Sequence, residues 1–213
     1  AYCLPPEGRL TKEHLYYVCN TIEKGAVTMP RSSVILPTYN ERENIVDLIS
    51  AVSGCTKPPP EIIVVDDDSP DKTWEVVAKM QSEFHNVRLV RRIGRRGLAT
   101  AVAEGVTNSS GEILVWMDCD FSHPPSLIPQ LIESLDDYHL VLASRYIEGG
   151  EMHASSLRTV TSRLICLFAS LLLGFSIRDW TSGYIAVRRE LLDEIKIVPL
   201  GKGYGEYFIA FLF

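Results

Sequence analysis

Asp118 and Asp120 stand one residue apart at the end of an unbroken apolar run, residues 113–117, in the stretch E-I-L-V-W-M-D-C-D-F-S-H-P-P. A run this short, bounded by polar residues, reads as a strand buried on both faces. In an extended segment residues i and i+2 point to the same side, so both carboxylates leave the strand end together. Two carboxylates held close repel each other, and a divalent cation relieves the repulsion. Hard oxygen ligands suit Mg²⁺ or Mn²⁺. Pro124 and Pro125 then suit the first turn of a helix. A strand, an acidic tip and a helix make the kind of place where open α/β sheets bind ligands, beyond the carboxyl ends of the strands. The same pair also fits an Asp-rich turn that only caps the next helix, and D-x-D alone does not choose between the two.

Other strand ends carry polar clusters. After residues 34–36 come Pro37-Thr38-Tyr39-Asn40-Glu41. Tyr39 offers a flat surface for a base, and Glu41 an acceptor for ring N–H groups of a purine. Alternatively, Asn40 caps a helix and Glu41 complements its dipole. After residues 62–65 come Asp66, Asp67 and Asp68, with Asp71 close behind. One of these can meet a base amino group or a ribose hydroxyl, and at least one starts the next helix. Three neighbouring parallel strands ending in acids make a groove suited to a nucleotide plus a metal. Residues 140–143 end in Ser144-Arg145-Tyr146, where the fork of Arg145 suits a pyrophosphate. Arg91, Arg92, Arg95 and Arg96 precede Gly97. They read either as a solvated face or as a surface for anionic lipid or an anionic acceptor. His123 reads as a residue leading into the helix rather than as a base.

These tips need elements to hold them. Strands are expected at 34–36 (stopped by Pro37), 62–65, 87–90, 113–117 and 140–143, and helices at 41–52, 73–84, 97–106 and 126–135. The alternation predicts an α/β fold, a mostly parallel central sheet with helices on both faces. Residues 1–31 read as an N-terminal extension of unknown role, with a helix over 11–24, and 32–213 as one domain. Residues 164–177 are almost wholly apolar, with Arg158 and Arg163 in front and Arg178 behind. They read as a buried core helix or as an interfacial helix in the headgroup layer.

Composition narrows the class. At 213 residues the chain makes one sizeable domain and hardly two. A net charge of −6 argues against a nucleic-acid partner. The five cysteines, without C-x-x-C spacing, resemble neither a zinc site nor a disulfide framework, and suit a reducing, cytosolic setting. The start of the sequence lacks the pattern of a signal peptide. No apolar run reaches the roughly twenty residues needed to span a bilayer.

In order along the chain stand P-T-Y-N-E at 37–41, V-V-D-D-D-S-P-D at 64–71, R-G-L at 96–98, D-C-D-F-S-H-P-P at 118–125, S-R-Y at 144–146 and D-W-T-S-G-Y at 179–184. Together they resemble the family 2 glycosyltransferases of the dolichol-phosphate mannose synthase type, over residues 33–208. The polyprenyl-phosphate glucosyltransferase branch shares most of these motifs. The resemblance implies a GT-A (nucleotide-diphospho-sugar transferase) fold and a metal-dependent, inverting transfer of mannose from GDP-mannose to a polyprenyl or dolichyl phosphate. It places the protein at the cytosolic face of a membrane, the endoplasmic reticulum in a eukaryote or the plasma membrane in a prokaryote.

Carried over by position, Pro37, Tyr39, Glu41, Val65 and Asp67 match nucleoside contacts, and Asp118 and Cys119 donor contacts. Asp118 and Asp120 match the metal pair. Ser122 falls where members carry Gln or Ser as a third ligand. Arg145 matches a phosphate-binding arginine and Arg158 a second, so the catalytic set is Asp118, Asp120 and Arg145. The apolar segment after Arg158 matches the part that meets lipid, and Asp179 and Ser182-Gly183 would shape the acceptor side. The acceptor phosphate oxygen is already anionic, so no strong base is required. The family's further basic residues would fall beyond Phe213, so the catalytic domain reads as truncated at its C-terminus, with any anchoring subunit or C-terminal anchor outside this chain. Two other readings stand beside this one: transfer of glucose from UDP-glucose, and a non-catalytic nucleotide-sugar-binding subunit.

Overall fold

The computed structural model describes residues 2–4, 31–143 and 183–194. Its strands are β1 (Tyr2–Leu4), β2 (Ser32–Thr38), β3 (Glu61–Asp66), β4 (Val87–Arg91), β5 (Ile113–Trp116), β6 (Leu140–Leu142) and β7 (Ile185–Arg188). Its helices are α1 (Ile45–Gly54), α2 (Thr73–Met80), α3 (Leu98–Asn108), α4 (Ile128–Ser134) and α5 (Arg189–Glu194), with a 3-10 turn at Pro125–Leu127. The strands form one sheet in the order β1-β6-β7-β5-β2-β3-β4.

The alternating pattern predicts this frame well. β5, β2, β3 and β4 are parallel neighbours, so their carboxyl ends open on one edge. Beyond β5 the sheet is mixed: β7 runs against both β5 and β6. β1, from the segment read as an extension, adds an edge strand antiparallel to β6. The helices expected at 11–24 and 164–177 lie outside the described residues.

Strand periodicity divides the core between two faces. Val34, Leu36, Ile62, Val64, Val115 and Met117 pack on one side with the apolar stripes of α1, α2 and α4. Ile35, Ile63, Val65, Leu114 and Trp116 pack on the other with α3 and Leu192 of α5. Gly105 lets α3 approach closely, because a Cβ there would press into the side chains of Ile35 and Val65.

Several boundaries shift by a residue or more, α2 ending at Met80 rather than 84, and two shifts bear on the site. β2 does not stop at Pro37 but runs to Thr38. Pro37 directs its carbonyl toward the Cys119 thiol, so its missing N–H lies on the β5 side, where ladder pairing has ended at Ile35–Trp116. α1 begins at Ile45 rather than Glu41, because Asn40 sits in the left-handed region (φ 61) and the next residues form a turn onto the Glu41 carbonyl.

At the opposite end of the strands, Glu61 accepts hydrogen bonds from Ser33 Oγ (2.5 Å) and Ser110 N (2.7 Å), and lies 3.6 Å from Arg88. One carboxylate thereby joins the starts of β2, β3 and β5.

Candidate active site

Three loops follow β2, β3 and β5, and hydrogen bonds stitch the first two together. Asn40 N donates to Ser69 Oγ (3.1 Å), Glu41 N to Thr73 Oγ1 (3.0 Å) and Arg42 N to Asp71 Oδ2 (3.1 Å). Asp67 N donates to the Thr38 carbonyl at 3.1 Å. Among the described residues, the non-glycine residues with positive φ are Asn40, Asp68, Lys72 and Phe121, and all lie in these three loops. Unfavourable backbone of this kind gathers where a surrounding structure holds loops in a working shape.

Glu41 follows β2, and Asp118 and Asp120 follow the neighbouring β5, at this edge. The Asp118 side chain is 45% exposed. Asp120 Oδ1 accepts from Ser122 N at 2.9 Å. Burial draws the Asp120 carboxyl up, but the hydrogen bonds from the Ser122 hydroxyl and amide outweigh it and hold Asp120 below its ordinary value. Asp120 is therefore an anion at neutral pH. Glu41 goes the other way: burial raises it, Asn44 partly offsets this through a hydrogen bond, and the charges of Asp120, Asp118 and Asp71 raise it further.

Two carboxylates with a third in their field fit a hard divalent cation. Among the described residues, no group of three or more His, Cys, Asp or Glu is placed to hold a metal ion. Ser122, whose hydrogen goes to Asp120, keeps oxygen lone pairs for an ion.

The residues matched to the nucleoside separate into two kinds. Tyr39 stays at the edge, with the Arg96 guanidinium 3.6 Å over its ring. Val65 and Cys119 are core residues, 0% and 2% exposed. Burial pushes the Cys119 thiol well up, and the neighbouring acids add to this. Val65 and Cys119 therefore present no exposed side chain to a donor. Asp67 is occupied from within. Its Oδ1 accepts from Arg92 Nε at 2.6 Å and its Oδ2 from Gly97 N at 2.8 Å.

The other acids of that loop also have partners within the fold. Asp66 is fully buried and accepts from Thr38 Oγ1, Ser69 N and Ser69 Oγ. Asp68 pairs with Arg91. Asp71 Oδ1 accepts from Thr73 N and Thr73 Oγ1, the helix-start role.

The arginine run divides: Arg91, Arg95 and Arg96 are exposed, as a solvated face would be, while Arg92 is buried. Arg91 joins Asp68 and covers Trp74, Arg92 joins Asp67, Arg95 joins Glu104 at 2.9 Å, and Arg96 covers Tyr39. Arg92 is the residue the sequence reading missed: it is 1% exposed and also donates to Thr100 Oγ1 and the Gly97 carbonyl. Nothing in R-R-I-G-R-R singles it out. Gly183 is placed directly: a Cβ there would lie 3.3 Å from Asp118 Oδ2 and 3.4 Å from His123 Cε1. Arg145, Arg158, Arg163, Arg178, Asp179 and Ser182 lie outside the described residues.

Comparison with known proteins adds ancestry to this geometry. A family model described as glycosyl transferase family 2 matches residues 33–196. The dolichol-phosphate mannosyltransferase of Pyrococcus furiosus is 38% identical over 174 residues, 79% of this chain and 49% of that protein. The polyprenol monophosphomannose synthase of Mycolicibacterium smegmatis is 35% identical over 82% of this chain and 68% of that protein. The chain thus spans about half the length of the Pyrococcus relative. The fold is similar to that of glucosyl-3-phosphoglycerate synthase from Mycobacterium tuberculosis, solved with Mn²⁺, UDP and phosphoglyceric acid. The TM-score is 0.63 at 27% identity, covering 84% of this chain and 62% of that one. The same synthase is also known with Mg²⁺ and UDP.

Proposed function

The chain belongs to glycosyl transferase family 2, and from that premise we propose that it transfers mannose from GDP-mannose to a dolichyl or other polyprenyl phosphate at the cytosolic face of a membrane. The observation that carries this reading is the placement of Glu41 after β2 and of Asp118 and Asp120 after β5, at the carboxyl edge of neighbouring parallel strands. The names of the relatives support the mannosyl group and the polyprenyl acceptor. Among the described residues no helix is long and apolar enough to cross a membrane, which suits a domain working on lipid from its surface.

Asp118 and Asp120 would hold Mg²⁺ or Mn²⁺, with Ser122 beside them. When bound, such a cation supplies Lewis-acid stabilisation of the charge that grows on the departing nucleoside diphosphate. The chain's own residues do the rest. Tyr39 presents its ring to the base, Glu41 accepts from base N–H groups, and Pro37, Val65 and Cys119 offer main chain. Asp67, through Arg92 and Gly97, keeps the loop carrying Arg96 against that pocket. Arg145 and Arg158 are proposed for the donor and acceptor phosphates. Their charges let two anionic substrates approach, since bare phosphates repel. The acceptor oxygen attacks the anomeric carbon as the bond to the diphosphate breaks, and no protein base is needed.

Transfer of glucose from UDP-glucose is the second reading, favoured by the fold similarity to a UDP-bound synthase. Thermal protection by GDP-mannose and by UDP-glucose, each with Mn²⁺, separates the two. It is to be paired with an assay of sugar transfer to polyprenyl phosphate. Protection by GDP-mannose with mannosyl transfer is the expected result. Protection by UDP-glucose alone overturns the donor, and binding without any transfer overturns the enzyme in favour of a nucleotide-sugar-binding subunit.

A further inference from the structure

We infer that His123 is a positioning residue for Asp118, fixing the main chain from which the metal-side carboxylate projects. The inference rests on the reading of Asp118 and Asp120 as the metal pair. The Asp118 amide donates to His123 Nδ1 at 3.0 Å. Accepting that hydrogen requires a lone pair on Nδ1, so this nitrogen carries no proton in the arrangement seen. The bond closes a loop from Asp118 to His123 that contains both carboxylates. Inside it, Ser122 N holds Asp120, and Phe121 takes φ 60 to let the chain turn back.

The ring plane is set from another part of the chain. His123 is 6% exposed and stacks on Tyr184, with centroids 5.0 Å apart and planes 24° off parallel. The Tyr184 hydroxyl donates to the Pro124 carbonyl at 3.0 Å, so the same tyrosine holds both the ring and the residue after it. Gly183, next to Tyr184, leaves just enough room for the Asp118 carboxylate and the imidazole edge. The amide of Asp118 is thereby pinned against a packed wall while its carboxylate reaches water. The G-Y of the D-W-T-S-G-Y motif and the H of D-x-D-x-x-H act as one support. Orientation by a partner of this kind changes metal affinity by about 10–100-fold.

The test uses side chains that separate the acceptor atom from the ring. In His123→Asn, Oδ1 stands near the place of Nδ1 and can accept from the Asp118 amide. In His123→Phe the stacked ring is kept and the acceptor is lost, and in His123→Gln the acceptor is moved outward. Mn²⁺ is titrated with GDP present and read by the loss of the free-ion paramagnetic resonance signal. Hydrogen–deuterium exchange at the Asp118 amide and the melting temperature are followed in parallel. The inference expects His123→Asn to stay within a few-fold of wild type, and His123→Phe and His123→Gln to bind Mn²⁺ at least about tenfold more weakly, with a faster-exchanging Asp118 amide in folded protein. It is overturned if folded His123→Phe or, should that variant not fold, His123→Gln keeps wild-type Mn²⁺ affinity. It is equally overturned if folded His123→Asn loses as much affinity as they do. A wild-type protein that binds no Mn²⁺ with GDP removes the metal reading itself and this inference with it, while unchanged Asp118 exchange in His123→Gln removes the inference alone.

Discussion

Arg92 Nε and Asp67 Oδ1 meet at 2.6 Å with both side chains almost withdrawn from water, 1% and 8% exposed. With Gly97 N on the other carboxylate oxygen, this pair locks the loop between β4 and α3 to the end of β3. Removing one partner leaves the other charge buried, so Asp67→Ala should lower stability by about 3–5 kcal/mol. The double substitution Asp67→Leu with Arg92→Met should recover much of the loss. Urea unfolding checks both. An Asp67→Ala protein as stable as wild type would show that Asp67 serves the ligand rather than the fold.

Gly183 sits against the Asp118 carboxylate, where an added methyl must push it by a few tenths of an ångström. Misplacing a reacting group by about 1 Å costs on the order of a hundredfold, so Gly183→Ala should weaken Mn²⁺-dependent nucleotide binding by about tenfold. The side chain of Asp118 is 45% exposed rather than packed in the core, so the melting temperature should change little. Calorimetric titration of GDP with Mn²⁺ beside a thermal melt separates the two effects.

Tyr39 carries the Arg96 guanidinium on its ring. A cation over an exposed ring is worth about 0.5–1 kcal/mol, whereas a stacked base is worth about 1–3 kcal/mol. A nucleotide base therefore displaces the guanidinium or takes the ring's other face. Tyr39→Ala should weaken GDP binding by about 5–100-fold, while Tyr39→Phe, which keeps the ring, should change it little. Equal losses in both variants would point to the hydroxyl instead.

Glu61 provides a pH signature away from the site. Burial raises its carboxyl, but hydrogen bonds from Ser33 and Ser110 and the charge of Arg88 outweigh that, so the folded value lies below the ordinary one. A depressed carboxyl adds stability above its unfolded value, near pH 4.3, and that stability is lost as pH falls through the folded value. Glu61→Gln should thus be about 1 kcal/mol less stable than wild type at pH 7, and the two should converge in acid. Denaturant unfolding across pH reads this, and a gap that does not narrow in acid would contradict it.

The elements legible in the sequence were those with a local signal. The runs 34–36, 62–65 and 113–117 are apolar, short and polar-tipped, and became β2, β3 and β5. Asp118 and Asp120 stood out as D-x-D after an apolar run, but β5 ends at Trp116 and the chain bends at 119 and 120, so the loop and not the strand places them. β7 was not legible: its four residues, Ile185–Arg188, lack length for any period, and only their place between β5 and β6 makes them a strand. Asp66, Asp67 and Asp68 read alike on paper, and distant partners divide them. Arg92 lies 25 residues after Asp67 and fixes it in the fold. The support of Asp118 hangs on contacts such as Tyr184 to Pro124, 60 residues apart, which no motif spacing encodes.

The central claim is that Asp118 and Asp120 hold the divalent cation on which donor binding depends. Thermal protection by GDP-mannose, compared with and without Mn²⁺ in wild type and in Asp120→Ala, tests it most directly. The account predicts that Mn²⁺ strengthens protection in wild type and adds nothing in Asp120→Ala, whose melting temperature without ligand stays near that of wild type. Undiminished Mn²⁺-dependent protection in Asp120→Ala would contradict it.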